Sequence, residues 1–331
     1  MTSSKSPIRV IHVAYDAARE AIPAYSHVNS PKKSTRPQLL ACLVRKEFLR
    51  VDYRSLAAHL ADHAELTRLL DLEPVPHFTT FQKAAARLLV AASARKLFDA
   101  VLDRALRDKV RKKRVPLAAV DGTGIGSRHV GRYYVERRSK AGTGTQETTY
   151  SKYPKVVPVA DCHSHPVLAA VPGRGPASDL VLFKAALKQA VGRARIGTLL
   201  ADADFDGEWV HEHVREYGIR TLIPPERGRS SEKPPAGRWR RRMKQRFDEK
   251  KYGQRWQVET VNSMAKRRLG AALRARSYWS QCREIILRII THNVMIVIRV
   301  RVFYRAGCGR LPGSKGSSRR ITRRSGRCDS R

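Results

Sequence analysis

The sequence predicts a mixed α/β domain preceded by a small helical domain. Three observations carry that expectation. From Arg36 to about Lys109 the apolar residues recur at helical spacing. Between Val115 and Val171 four short apolar runs follow one another with turn residues between them. From Leu180 to Ile223 helical and strand patterns alternate, and acidic residues close two of the apolar runs.

Taken in order, residues 1–35 are polar and rich in Ser, Pro and Lys, which predicts a flexible basic arm. In the helical domain, 36–110, Leu39, Leu40, Leu43, Val44 and Phe48 follow i, i+1, i+4, i+5, i+9 and fall on one helix face. Asp52 predicts the N-cap of a second helix reaching His63, and Thr79 or Thr80 the cap of a third running through Leu88. Pro74 and Pro76 separate these two. Short helices in a basic chain fit either a helix-turn-helix DNA reader or an assembly domain, and no recognition helix stands out.

The texture changes after the basic run Arg111 to Arg114. Val115–Val120 predicts a buried strand ending at Asp121 and Gly122. Tyr133–Arg137, Val156–Asp161 and Val167–Val171 predict three more strands. Leu180–Val191 reads as an amphipathic helix, Gly197–Ala201 as a strand ending at Asp202, Trp209–Tyr217 as a helix and Thr221–Ile223 as a strand. A Pro/Gly/Arg-rich segment, Glu226–Lys251, precedes a long helix expected from about Tyr252 to Arg268 and an apolar helix from Tyr278 onward. These bounds place the second domain at 111–304. Residues 305–331 carry nine Lys/Arg against one Asp and predict a disordered basic tail.

Charge narrows the function. The 331 residues hold 66 Lys+Arg and 29 Asp+Glu, a formal net charge of +37. An excess spread along the whole chain points to a polyanionic partner, and a nucleic-acid backbone is the usual one. The five cysteines form no C-x-x-C pair, which argues against a disulfide framework or zinc ribbon and fits a reducing cytoplasm. Residues 1–21 lack the apolar stretch of a secretory signal. The most apolar stretch, 285–302, is interrupted by Arg288, Arg299 and Arg301 and reads as a buried helix. The glycines at 122, 124 and 126 lack the Lys of a P-loop and the following helix of a dinucleotide site. Cys162, His163 and His165 have no fourth ligand at zinc-site spacing, and Asp161 reads as a turn former.

The residues that carry chemistry lie on the helix expected at 252–268. At about 100° per residue, Tyr252, Arg255, Glu259 and Lys266 fall at roughly 0°, −60°, −20° and −40°. A stripe mixing Tyr, Arg, Glu and Lys is no core face, although Arg255 and Glu259 also have the spacing of an ordinary surface ion pair. The pattern Y-x2-R-x3-E-x6-K resembles the signature of the DDE transposases of bacterial insertion sequences, in the group called insertion sequence family four/five. Two companion features match as well: Asp121 at the end of an early apolar strand, and Asp202-Ala203-Asp204-Phe205 after a later one. Asp204 departs from the family pattern, which has a small residue there. The spacings, 80 residues between Asp121 and Asp202 and 56 between Asp202 and Glu259, suit the fold. The resemblance spans roughly residues 35–300.

The resemblance implies an RNase H-like catalytic domain with Asp121, Asp202 and Glu259 as catalytic and metal-binding residues. Phosphodiester cleavage and strand transfer need an activated oxygen nucleophile and a stabilised leaving oxygen, and hard cations prefer carboxylate oxygens. Two Mg²⁺ or Mn²⁺ ions are therefore expected. Asp204 or Asp206 would be the alternative ligands, having the strand parity of Asp202. Tyr252, Arg255 and Lys266 would contact the transposon end, with Arg240, Arg241 and Arg242 tracking the duplex backbone. The implied activity is DNA transposition: binding double-stranded terminal repeats, cutting, and joining the 3′ ends to target DNA, as a homodimer on DNA in the cytoplasm at the nucleoid. Two other readings use the same residues differently: a metal-dependent nuclease without strand transfer, and a transposase-derived DNA-binding protein whose catalysis has decayed.

Overall fold

A computed structural model of the chain describes residues 6–129, 135–139, 146–150, 152–225, 235 and 237–307. Six helices come first: α1 (Pro7–Ala21), α2 (Arg36–Leu49), α3 (Tyr53–Ala61), α4 (Ala64–Leu70), α5 (Phe78–Leu88) and α6 (Ala91–Arg107). The expectation of a flexible arm over 1–35 fails for α1. Ser6 caps it, Pro7 opens it, and Val10, Ile11, Val13, Ala14, Ala17 and Ala18 are buried. Those six positions repeat at i, i+1, i+3, i+4, i+7, i+8, a helical face set among polar residues.

α2 starts with a capping box in which Thr35 and Gln38 satisfy each other's backbone N–H. Its burial extends beyond the expected apolar face, because every residue from Pro37 to Glu47 is buried. Helices α1, α5 and, from the far end of the chain, α12 (Tyr278–Gly307) surround it. Asp52 caps α3 as expected, its carboxylate accepting from Ser55 N at 2.8 Å. α5 begins at Phe78 after His77, two residues too early for Thr79 to cap it and three too early for Thr80.

The sheet region contains β1 (Arg114–Val120), β2 (Thr123–Gly124), β3 (Gly126–Ser127), β4 (Val135–Ser139), β5 (Gln146–Tyr150), β6 (Tyr153–Asp161) and β7 (Val167–Gly175). It continues with α7 (Leu180–Val191), β8 (Arg195–Leu200), α8 (Glu208–Glu216) and β9 (Arg220–Leu222). β6 pairs antiparallel with both β1 and β7, while β1, β8 and β9 run parallel. An antiparallel meander thus joins a parallel half, and the mixed α/β, RNase H-like expectation holds. Of the expected strand at 133–137, residues 133 and 134 lie outside the described residues, and β4 pairs with β5 as a separate hairpin.

The chain then forms α9 (Arg238–Gln245), α10 (Glu249–Tyr252), α11 (Trp256–Leu269), β10 (Ala272–Leu273) and α12. The expected continuous helix from Tyr252 to Arg268 is interrupted by a 3-10 turn at Gly253–Arg255, where glycine lowers helix propensity. The basic tail from residue 308 onward lies outside the described residues, and residues 305–307 belong to α12. Among the described residues no helix is long and apolar enough to cross a membrane.

Two cores sandwich the sheet. Ala118, Val120, Val157, Val159 and Leu199 pack with α7 and α8 on one face. On the other, Ala119, Val156, Ala160 and Leu200 join a core shared by α1, α2, α6, α11 and α12. The leading helices and the sheet therefore share apolar packing through α12. Polar ties reinforce it: Asn293 hydrogen-bonds both the N–H and the C=O of Val167 at 2.9 Å. Arg288 bridges buried Glu47 of α2 and Glu284, each at 2.7 Å.

Candidate active site

β1 and β8 are neighbours in register, with Ala119 opposite Leu200. Asp121 and Asp202 each lie two residues beyond that pair, so both aspartates emerge at the same end of the sheet from adjacent strands. Parallel neighbours stand about 4.8 Å apart. After Asp202 the chain leaves extended geometry: Asp202 caps a 3-10 turn at Ala203–Phe205 by accepting from Asp204 N at 3.1 Å. That turn cancels the strand parity on which Asp204 and Asp206 were alternatives. Asp204 stays exposed beside Asp202, whereas the buried Asp206 carboxylate turns toward Arg240.

α11 packs against β1 and β6 and brings Glu259 to the same end. Glu259 is exposed and receives Arg255 Nη2 on Oε1 at 2.7 Å. Arg255 also reaches toward Tyr252, whose ring centroid is 6.0 Å from the guanidinium carbon. Lys266, further along α11, donates from Nζ to Thr123 Oγ1 at 2.7 Å, two residues after Asp121. The break before α11 therefore leaves the Tyr252–Arg255–Glu259 association in place, and Lys266 lies further along the helix on Thr123.

Electrostatics links these groups. Burial, followed by the negative charge of Asp202, pushes the Asp121 carboxyl up to about 6; Glu259 and Asp179 add to this and Arg255 opposes it. Burial and then Asp204 raise Asp202, again against Arg255. Burial works against the Arg255 charge, but Tyr252, Glu259 and Asp121 outweigh it and hold the guanidinium protonated. Arg255 is the cation that the carboxylates share.

Asp179 was not evident from the sequence. It precedes α7, and its carboxylate meets Lys155 Nζ at 2.6 Å. A methyl group on Gly122 would fall inside that carboxylate, so the residue after Asp121 must lack a side chain for Asp179 to approach. A glycine following the aspartate was the one available signal, and nothing local indicates its partner 57 residues on.

The basic residues expected to track DNA separate into two kinds. Arg240 donates from Nε and Nη2 to Asp206 Oδ2 at 2.9 and 2.6 Å. Glu208 accepts from the backbone N–H groups of Trp239 and Arg240, at 2.9 Å from Trp239 N and 3.1 Å from Arg240 N. These two carboxylates fasten the start of α9, where Gly237 has φ +97° and a side chain would meet Glu208. Arg241 and Arg242 remain exposed on the helix. Of the other early candidates, Asp161 forms its turn by accepting from His163 N and Ser164 Oγ. Cys162 is buried, and its thiol is pushed up to about 12 by that burial.

Hard carboxylate oxygens crowded enough to raise one another's pKa suit divalent cations. Among the described residues, however, no three acidic, His or Cys side chains stand close enough to hold an ion. Asp121 and Asp202 would offer a pair of donors, while the Glu259 carboxylate is engaged by Arg255.

A family model described as a transposase DDE domain matches residues 113–294. Among solved structures, one match is a piggyBac transposase synaptic complex with hairpin DNA, at 10% identity, 92% coverage of this chain and 77% of that chain. Its TM-score is 0.45. No curated protein matches the chain.

Proposed function

The chain belongs to the transposase DDE domain family, and from that premise we propose that it binds the ends of an insertion sequence, cuts DNA there and joins the 3′ ends to target DNA. The observation that carries this reading is the placement of Asp121, Asp202 and Glu259 at one end of the sheet, coupled electrostatically around Arg255. The four-position motif at Tyr252, Arg255, Glu259 and Lys266 supports a place in the family four/five group.

Asp121 and Asp202 would hold divalent ions, Mg²⁺ or Mn²⁺, and Glu259 would complete the set on leaving Arg255. Such ions supply an activated attacking oxygen and a stabilised leaving oxygen. The chain's own residues do the rest. Arg255, released from Glu259, offers a planar fork to a phosphate, and Lys266 a point charge beside it. Tyr252 supports Arg255 from the preceding turn. Arg241 and Arg242 on α9 neutralise the duplex backbone. Two ends must be held together, so the DNA complex is a homodimer, working at the nucleoid.

The experiment is cleavage of a labelled duplex carrying the flanking element's end, with Mg²⁺ or Mn²⁺ and with EDTA. Metal-dependent nicking at the terminal base pair, abolished by Glu259→Gln with DNA binding retained, is the expected result. Salt-sensitive binding without cleavage in either metal would replace this reading with a decayed, DNA-binding descendant. Nicks without joined products would leave a nuclease.

A further inference from the structure

A groove of about 490 Å³ lies at the same end of the sheet as the carboxylates, floored by the end of β7 and walled by the starts of α7 and α12. Gly173, Arg174, Val181, Leu182, Tyr278 and Trp279 line it. Its surface is unusual for a strongly basic protein. Trp279 is 71% exposed and Val181 72%, two of the most exposed large apolar residues among those described. The Arg174 guanidinium lies 3.9 Å from the Tyr278 ring centroid, and Tyr278 and Trp279 pack with centroids 5.2 Å apart.

The groove is continuous with the site already described. Lys155 and Ser178 contribute to its wall, Lys155 pairs with Asp179, and Asp179 presses on Gly122 beside Asp121. Lys155 and Asp179 therefore link the groove at the end of β7 to the turn that follows Asp121. An exposed indole wall suits a flat π-system, and an arginine on the rim suits the phosphate attached to it. A protein segment would satisfy the apolar wall but would gain nothing from Arg174 unless it were acidic, and this chain has a large excess of base.

We propose that the Trp279–Arg174 groove binds an unpaired nucleotide of the substrate DNA, its base against Trp279 and its phosphate at Arg174, next to the point of strand cleavage. This rests on the transposase reading above. Trp279 then sets a preference for ends with unpaired bases, a property that no residue of the carboxylate cluster provides.

The test uses the full chain in EDTA, with a fluorescently labelled blunt duplex and the same duplex carrying a short single-stranded overhang. Anisotropy should give about tenfold tighter binding of the overhang, the size of one stacked base. Trp279→Ala and Arg174→Ala should collapse that ratio toward one, and Trp279→Phe should keep most of it. An unchanged ratio in Trp279→Ala, or a ratio near one in the wild type, overturns the proposal. So does a shift in sedimentation on Trp279→Ala with the ratio intact, which would make the groove a contact between copies. Failure of the wild type to bind or cut any duplex would remove the transposase reading itself. Metal-dependent cutting with no overhang preference would remove only this inference.

Discussion

Arg255 Nη2 and Glu259 Oε1 stand 2.7 Å apart on successive turns, and the same guanidinium lowers the proton affinity of Asp121 and Asp202. One arginine therefore balances three carboxylates. Replacing it with a neutral residue leaves their repulsion uncompensated, a field that a divalent cation relieves. Arg255→Gln should bind Mn²⁺ about tenfold more tightly in the absence of DNA, by calorimetry, while losing most cleavage. Unchanged Mn²⁺ affinity would mean that Arg255 does not compete with the ion.

Lys266 has a different neighbour. Its ammonium sits on Thr123 Oγ1, an uncharged group, so its charge remains available to a phosphate. Lys266→Ala should weaken duplex binding evenly across sequences and reduce the slope of log K against log salt by about 1. A preference that changes with sequence, with the slope intact, would assign Lys266 to base contacts.

The three arginines of α9 should part company. Arg240 holds a carboxylate that is wholly buried, whereas Arg241 and Arg242 are exposed. Arg241→Ala with Arg242→Ala should lower the salt slope by about 2 without loss of thermal stability. Arg240→Ala should instead destabilise by about 3 kcal/mol, because it leaves Asp206 buried beside His211 without its main partner. Equal effects from all three would dissolve the distinction.

How much of this was legible beforehand follows from the range of the interactions. Helix α7 falls on the predicted Leu180–Val191, and Asp121 and Asp202 close strands as expected, because apolar runs and turn residues are local signals. Burial from all sides was not legible for α2, since its partner α12 begins more than two hundred residues later. α1 carried its helical face in plain view at Val10, Ile11, Ala14 and Ala17, but the surrounding polar composition masked it. The approach of Asp179 and the clamping of Arg240 by Asp206 depend on tertiary contacts, which spacing along the chain does not encode.

The seam between α2 and α12 makes its own prediction. Arg288 is buried between Glu47 and Glu284 and also donates to the carbonyls of Gly270 and Ala272. Burial raises the Glu47 carboxyl despite Lys46 and Arg288 nearby. Removing the arginine strands two buried acids and two carbonyls. Arg288→Met should cost about 3–5 kcal/mol in denaturant unfolding. Glu47→Gln combined with Arg288→Met should recover part of that loss by removing one of the stranded charges.

His292 provides the pH dependence. It is buried on α12 with Nε2 3.1 Å from the His165 carbonyl, to which a ring N–H donates. Burial depresses it from 6.5 to about 4. Between those values the unfolded chain binds a proton at this position and the folded chain does not, so falling pH favours unfolding. The contribution is whole above about 6.5 and is lost as pH drops toward 4, at up to about 1.4 kcal/mol per pH unit. His292→Gln, which keeps a donor but cannot titrate, should flatten stability against pH in that window by roughly this slope. Identical profiles for the two proteins, measured by denaturant unfolding, would place the proton uptake elsewhere.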